Sequence, residues 1–230
     1  MCKLILYITV FFVSIFFYSC EKYTFNIPSP NASLSVIHAA MDLPSVNVNL
    51  TDPRGPFYTF QQPISYGSSF EWGLPAGNVP VIIISSADTN NSILNTKFDL
   101  KPSGIYSLYI LDESAKTSTL LLEDTIPAHS DSAAGARFIN LIEGSQPMTV
   151  NLQDNPFTQT EFSNIGYKQI TTFKSYMGAG GITGYNFEIH DQQSGDLLAT
   201  FYWNFILYKN YTIVISGDQS NISVFQVNNY

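Results

Sequence analysis

Short runs of alternating apolar and polar residues dominate the chain from Ser33 onward. In 46–50, Val-Asn-Val-Asn-Leu, the apolar residues recur at every second position, which is the period of a β-strand with one buried face. The continuous apolar run 81–84 predicts a central strand. Further strands are predicted at 57–60, 70–72, 93–100, 106–111 and 119–122. Since no segment after Cys20 has the period of an amphipathic helix, the pattern predicts an all-β protein.

The pattern of the first half of the chain restarts in the second half. Val48-Asn49-Leu50 matches Val150-Asn151-Leu152, and Val36-Ile37-His38 matches Phe138-Ile139-Asn140 at the same offset. The matches keep their order along the whole unit, so two tandem copies of one domain are predicted.

The boundaries of these copies follow from a polar stretch between them. We predict a first β-sandwich at 32–127, a linker at 128–133 and a second β-sandwich at 134–230. Each half has a full set of predicted strands, so each is expected to bury its own core. Because the second copy has diverged, we expect it to present the partner surface and the first to act as scaffold.

The N-terminus has the pattern of an export signal. A single lysine precedes an apolar run from Leu4 to Phe17, and the small residue Ser19 stands before Cys20. The run is shorter than the about 20 residues of a membrane-spanning helix. Phe17-Tyr18-Ser19-Cys20 resembles a bacterial lipobox, with Phe where Leu is usual.

The lipobox resemblance implies a lipoprotein. Residues 1–19 would be the signal peptide, the sulfur and new amino group of Cys20 would carry lipid, and 20–31 would tether the protein to the outer membrane. More than one acyl chain is what stable anchoring requires. The alternative is a cleaved signal that leaves an inert thiol at Cys20.

Composition excludes several classes of function. The formal charge of −8 disfavours nucleic acid and anionic membrane surfaces as partners, since both bind basic patches. Of the two cysteines, Cys2 lies in the signal, which excludes a disulfide framework or a cysteine metal site in the mature chain. With 45% apolar residues, 17 Phe and 14 Tyr, a core can form without disulfides.

Candidate chemistry is sparse, and the paired carboxylates Glu123 and Asp124 at a strand end are interpreted as solvated. Glu188 and His190 share one face of a predicted strand, but two ligands without a third make a weak metal site. His38 ends the first strand, matches Asn140 and is interpreted as a group that satisfies loop backbone atoms, with a metal role together with Asp42 as the alternative. The chain has no Gly-x-Ser-x-Gly turn and no helix for a phosphate loop, so we predict no enzyme activity, metal or cofactor.

Aromatic residues are the better indication of a contact surface. In 201–205, Phe-Tyr-Trp-Asn-Phe, alternation places Tyr202 on one face of a strand and Trp203 on the other. Trp203 is interpreted as a core residue, and the same interpretation is made for Trp72. The alternative is that Tyr202, Trp203 and Trp72 contact a partner protein or a sugar ring.

Two short motifs lie near the linker. Asp124-Thr125-Ile126 and Asp131-Ser132-Ala133 resemble the acceptor motif for O-glycosylation in exported Bacteroidetes proteins. Thr125 and Ser132 are therefore candidate acceptors. The competing interpretation is that the stretch is polar simply because linkers are.

Several segments together resemble the bacterial domain of unknown function DUF4397. The segments are 35–48, Tyr66-Gly67, Leu74-Pro75-Ala76-Gly77 and Gly104-Ile105-Tyr106, with Arg137-Phe138-Ile139-Asn140-Leu141 as the opening of a second copy. The resemblance implies two tandem immunoglobulin-like antiparallel β-sandwiches on an exported lipoprotein, and it transfers no catalytic residue. The leading hypothesis is a non-catalytic interaction module or accessory subunit of a cell-envelope assembly. A surface carbohydrate-binding or adhesion protein is the alternative.

Overall fold

The computed structural model describes residues 31–50, 63–88, 90–113, 116–129, 132–153, 155–156 and 159–229. Cys20, the signal peptide, the tether before residue 31 and the predicted strand 57–60 lie outside the described residues. In the described part the elements are strands and one short 3-10 turn, η1 (Ala179–Gly181). No helix there is long and apolar enough to cross a membrane. The predicted all-β class with two sandwich-like halves is confirmed.

The first half forms two four-stranded sheets. Its strands are β1 (Asn31–Ala39), β2 (Ser45–Asn49), β3 (Ile64–Ser65), β4 (Ser69–Pro75), β5 (Gly77–Ser85), β6 (Ser92–Leu100), β7 (Ile105–Glu113) and β8 (Lys116–Asp124). The strand orders are β4-β1-β7-β8 and β3-β2-β5-β6. Neighbouring strands are antiparallel except β1 and β7, which run parallel with Leu34 opposite Tyr106.

The second half repeats this arrangement strand for strand. Its strands are β9 (Ala133–Asn140), β10 (Met148–Leu152), β11 (Phe162–Ile165), β12 (Lys174–Met177), β13 (Gly184–Asp191), β14 (Leu197–Asn204), β15 (Asn210–Asp218) and β16 (Asn221–Asn228). The orders are β12-β9-β15-β16 and β11-β10-β13-β14, and β9 runs parallel to β15. Each strand thus occupies the place of the strand eight positions earlier.

Three hydrophobic cores hold four layers together. One lies between the two sheets of the first half and includes Leu34, Val81 and Leu108. A second lies between the two sheets of the second half, around Phe138 and Trp203. The third joins the halves and draws on β1 and β7 from one side and β9, β15 and β16 from the other. Sheets β4-β1-β7-β8 and β12-β9-β15-β16 are called the inner sheets, and the other two the outer sheets.

The third core changes the expectation of two separately cored halves. Ile37, Tyr109 and Leu111 of the first half are fully buried in it, together with Ile139 and Val214 of the second half. Every residue of β9 is buried, as expected for a strand covered on both faces. Each half still has its own core, but the two inner sheets also cover each other.

A buried polar network lies at one end of this interface. Asp124 at the end of β8 pairs with Arg137 of β9 at 2.6 Å, and both side chains are almost fully buried. Ser107 donates to Asp124, Arg137 donates to Thr212, and Thr212 donates to Asn229. The interpretation of Asp124 as a solvated carboxylate is therefore wrong, because this aspartate neutralises a guanidinium buried between the halves.

The opposite end of the interface has contacts made by two equivalent tyrosines. Tyr66 of the first half hydrogen-bonds Ser216 of the second at 2.8 Å. Tyr167 of the second half donates to Glu113 of the first, which also pairs with Lys168 at 3.0 Å. Burial and the Glu113 carboxylate raise the pKa of Tyr167. Each tyrosine reaches across to the other half, so the contact has the reciprocal form of a two-fold interface.

His38 and Asn140 occupy equivalent positions at the ends of β1 and β9. His38 Nδ1 accepts a hydrogen bond from the backbone N–H of Ala40 at 3.3 Å, and Asn140 Oδ1 accepts from that of Ile142 at 3.0 Å. His38 is fully buried, and desolvation lowers its pKa to about 4. The interpretation of both residues as acceptors for loop backbone groups is correct.

Acid is expected to destabilise the protein through His38. Between pH 6.5 and about 4 the unfolded state binds a proton that the folded state excludes. The free energy of unfolding should therefore decrease as the pH is lowered through this window, by about 3 kcal/mol in total. The His38→Asn variant carries the residue type that the second half has at the equivalent position. Denaturant unfolding at several pH values should show that its free energy of unfolding no longer decreases in this window. An equally steep loss in the variant would contradict the assignment.

Candidate interaction surface

The candidate surface is the solvent side of the second outer sheet. Phe187 and Ile189 of β13 and Trp203 of β14 point into the core. Since side chains alternate across a strand, the residues between them point outward. We define the outer face as Asn186, Glu188, His190, Thr200 and Tyr202.

Tyr202 is the large apolar group of the outer face. Its side chain is 57% exposed. Its ring tip lies over Gly184 of the neighbouring strand, where a Cβ atom would be only 2.5 Å from the Tyr202 hydroxyl. Gly184 pairs with Asn204 and is therefore diagonal to Tyr202 across the sheet. Because Gly184 has no side chain, the aromatic ring of Tyr202 can pack directly against the sheet.

Glu188 and His190 form a polar pair on the same face. His190 Nε2 lies 3.3 Å from a Glu188 carboxylate oxygen, and His190 Nδ1 lies 3.1 Å from the carbonyl oxygen of Gly195. Both neighbours are hydrogen-bond acceptors, so a ring N–H of His190 can donate to either of them. Strands β13 and β14 contain no Lys or Arg. The face is therefore built from neutral polar groups, one carboxylate and one histidine.

The equivalent face of the first half has a different character. Asn49 and Asn47 of β2 stand opposite Ile82 and Ile84. Asn151 and Thr149 of β10 stand opposite Glu188 and His190 in the same way. Ile82 and Ile84 are buried, whereas Glu188 and His190 are partly exposed.

The position of Tyr202 also differs between the halves. Tyr202 pairs with Asn186, and the equivalent pair in the first half is Lys97 with Pro80. One fold thus carries two different outer faces, and the ionisable pair with its aromatic neighbour occurs on the second.

The structure separates the three aromatic candidates. Trp203 is fully buried and packs against Phe205 at a ring-centroid distance of 4.6 Å, so it cannot contact a ligand in the folded protein. Trp72 is half-buried at the edge of the first core and packs against Phe70 at 4.6 Å. Phe70 is 50% exposed and was not recognised from the sequence. It stands two positions before Trp72 on the same strand face, which is the signal that indicates the pair.

The structure gives the exposure of the two candidate glycosylation acceptors, Thr125 and Ser132. Thr125 and Ser132 are both exposed and lie outside the strands. However, the aspartate of the first motif is Asp124, which is buried in the ion pair with Arg137. Asp131 lies outside the described residues. An enzyme that reads the motif at Thr125 would therefore meet a buried aspartate in the folded chain.

Metal-binding geometry is not found in the described part of the chain. Among those residues, no group of three or more His, Cys, Asp or Glu side chains is placed to hold a metal ion. The His129 ring contacts the second half, with its Nε2 at 2.9 Å from Asn210 Oδ1. Asn210 also donates to the carbonyl oxygen of Pro127, so this one side chain holds the segment after β8 against the second half.

The profile of a domain of unknown function, DUF4397, matches residues 32–151, which is 120 of the 230 residues. The chain belongs to the DUF4397 family. The match begins at the second residue of β1, includes β2 to β9, and ends one residue before the end of β10. The DUF4397 resemblance of the first half is therefore confirmed. No curated protein matches the chain.

Several solved structures show weak similarity. The Bacillus anthracis TIE protein has 10% identity and a TM-score of 0.27, with 82% of this chain covered and 33% of that one. The chain thus spans about a third of that protein. A carbohydrate-binding module of family CBM26 from Eubacterium rectale, in complex with maltoheptaose, has 8% identity and a TM-score of 0.29, with 86% and 97% covered. A fimbrial assembly protein from Parabacteroides distasonis has 12% identity and a TM-score of 0.24, with 86% and 95% covered.

Proposed function

We propose that this DUF4397 protein is a non-catalytic interaction module of the cell envelope. Lipid on Cys20 holds it at the outer membrane, and the outer face of the second half contacts a partner protein. Two copies of one domain form the body, the first as scaffold and the second as contact surface. The observation that carries the proposal is the difference between the two outer faces, where Ile82 and Ile84 give way to Glu188 and His190.

A protein contact at this face fits the properties of interaction surfaces. Exposed tyrosines are enriched at such surfaces because an aromatic ring buries a large area and keeps a polar tip. Tyr202 rests on Gly184, so little side-chain freedom is lost when a partner covers it. The rigid sheet beneath it has a complete core, which keeps the contact residues in fixed positions.

A neutral oligosaccharide is the second candidate ligand, and one observation favours it. The exposed Tyr202 ring is flanked by Asn186 on the facing strand and by Asn204 two positions along its own strand. An aromatic ring flanked by amides can stack on the apolar face of a sugar and hydrogen-bond its hydroxyl groups. The absence of Lys and Arg from β13 and β14 disfavours an acidic glycan.

Removing the ring of Tyr202 is expected to weaken binding by at least tenfold. The Tyr202→Ala variant loses the aromatic group that a partner would cover, and truncation of a central aromatic costs about 2 kcal/mol or more. The matched control is Lys97→Ala, which alters the equivalent position of the first half. Affinity capture of the tagged protein from its own membranes measures protein partners, and a panel of neutral oligosaccharides measures glycans.

The pattern of binding decides between the candidates. Loss of a captured protein in Tyr202→Ala but not in Lys97→Ala supports the protein contact. A neutral oligosaccharide that binds the wild type and fails to bind Tyr202→Ala supports the glycan. If both variants bind every ligand as the wild type does, the outer face is not the contact surface and the proposal fails.

A further inference from the structure

Four exposed apolar side chains cluster at one end of the second half. Met177 ends β12, Ile182 follows η1, and Ile206 and Tyr208 lie in the turn between β14 and β15. All four are large and exposed, Ile206 the most at 68%. We call these four residues the loop patch. Exposed apolar groups gathered on neighbouring loops are unusual for a solvated surface.

The loops that carry the patch are fixed by hydrogen bonds. The N–H of Phe205 donates to the carbonyl oxygen of Thr183 at 3.0 Å, which joins the two loops. The N–H of Tyr208 donates to the carbonyl oxygen of Ala133 at 2.7 Å, which ties the turn to the start of β9. Leu207 fills the space beside Gly178, where a Cβ atom would lie 2.4 Å from its side chain. The loops that carry the patch are therefore held in one conformation by hydrogen bonds and packing.

The patch lies at the same end of the molecule as the start of β1. At the start of the inner strands, Arg137 of β9 meets Asp124, which pairs with Ile105 at the start of β7. At their other end, Lys168 beside the end of β9 meets Glu113 at the end of β7. Strands β7 and β15 run parallel to β1 and β9, respectively. All four of these inner strands therefore begin at the same end of the molecule. Asn31 and the loop patch thus share one end.

This end is close to the predicted anchor. Ten residues lie between Cys20 and Asn31, so the two are eleven Cα-to-Cα steps apart and a fully extended chain between them spans at most about 40 Å. A lipidated Cys20 therefore keeps the start of β1 within a few nanometres of the bilayer. The effective concentration of lipid at the loop patch is then high without any further contact.

We propose that the loop patch rests in the headgroup region of the bilayer that holds the lipid anchor. This inference rests on the proposed lipidation of Cys20. Ile182, Ile206 and Met177 supply apolar area that the interface of a membrane accepts, and Tyr208 has the ring and hydroxyl typical of residues at that depth. Lys209, exposed beside Tyr208, places a cation at the level of the lipid phosphates. The bilayer contact orients the body, with the strands of the inner sheets pointing away from the membrane.

A fluorescent reporter tests the inference in the full lipidated chain. Ile206→Cys labelled with an environment-sensitive dye reports on the patch, while the acylated sulfur of Cys20 cannot react. Ser220→Cys, in the exposed turn between β15 and β16 at the opposite end, is the matched control. Each protein is reconstituted into protein-free vesicles of the zwitterionic lipids phosphatidylethanolamine and phosphatidylcholine that contain a quencher-labelled lipid. We expect quenching at Ile206 to exceed that at Ser220 by at least threefold.

Each result decides the inference. Stronger quenching at Ile206, independent of protein density, supports seating on lipid. Equal quenching at both positions, with mass spectrometry showing acylated Cys20, overturns the seating while the anchor stands. An unmodified Cys20 removes the anchor and the seating together, and it is recognised by mass alone. Shielding of Ile206 that rises with protein density makes the patch a contact between copies, which also overturns the proposal. Circular dichroism checks that both variants keep the β fold.

Discussion

Replacing Arg137 with methionine is expected to lower the free energy of unfolding by about 3–5 kcal/mol. The variant removes the partner of Asp124, whose carboxylate is almost fully buried at the interface between the halves. Ser107 still donates to Asp124, but one neutral hydrogen bond does not offset a buried charge. Thr212 also loses the donor at its hydroxyl. Denaturant unfolding of the full chain measures the loss.

Two further variants isolate the cause. Lys101→Ala breaks an ion pair of the same length, 2.6 Å to Glu123, in which both side chains are largely exposed. Solvent screens the attraction between exposed charges, so the free energy of unfolding of this variant should remain near that of the wild type. The double variant Arg137→Met with Asp124→Leu removes both charges and should recover most of the stability lost. If Arg137→Met costs no more than Lys101→Ala, the buried pair does not stabilise the fold.

Alternation and repetition were sufficient to predict most of the architecture. The period of two at 46–50 predicted β2, and the continuous run 81–84 predicted the buried centre of β5. The ordered matches between the halves correspond to strands in the same places of the same sheets. These features succeed because they depend on local chemistry, namely which face of a strand is wet and which residues can turn.

The third core was not predicted, because an interface between repeats uses the same residue types as a sandwich core. The signal was present in the inner strands. Tyr106 to Leu111 and Ile213 to Ile215 read as nearly continuous apolar runs, which is typical of strands covered on both faces. Two buried polar residues of these strands, Ser107 and Thr212, contact the buried ion pair. A polar residue inside a continuous apolar run therefore indicated the buried network.

The candidate surface could be predicted in part. Alternation within 201–205 placed Tyr202 outside and Trp203 inside, as the structure has them. The role of Gly184 could not be predicted, because its contact with Tyr202 depends on the register of β13 and β14. Asp124 was misread for the same reason, since its partner Arg137 becomes a neighbour only when the two inner sheets pack together.

Cutting the chain between the halves is expected to leave them bound to each other. A protease site inserted between residues 130 and 131 lies in the predicted linker, outside β8 and β9. After cleavage the third core and the Asp124–Arg137 pair remain in place, so the halves should elute as one 1:1 complex in gel filtration. Placing a carboxylate in that core by Val214→Asp is expected to separate the cleaved halves, because an unpaired charge is not tolerated in an apolar interface.

The same interface determines how each half behaves alone. An isolated second half exposes Ile139, Val214 and the unpaired Arg137, all buried in the whole chain. Exposed apolar sheets of this kind self-associate or unfold. We therefore expect the separate halves to melt at least about 10 °C below the full chain, since each lost kcal/mol lowers the midpoint of so small a domain by about 4–8 °C. Mixing the two halves should restore the higher midpoint. Monomeric halves that melt with the full chain would show instead that each sandwich is an independent domain and that the third core contributes little.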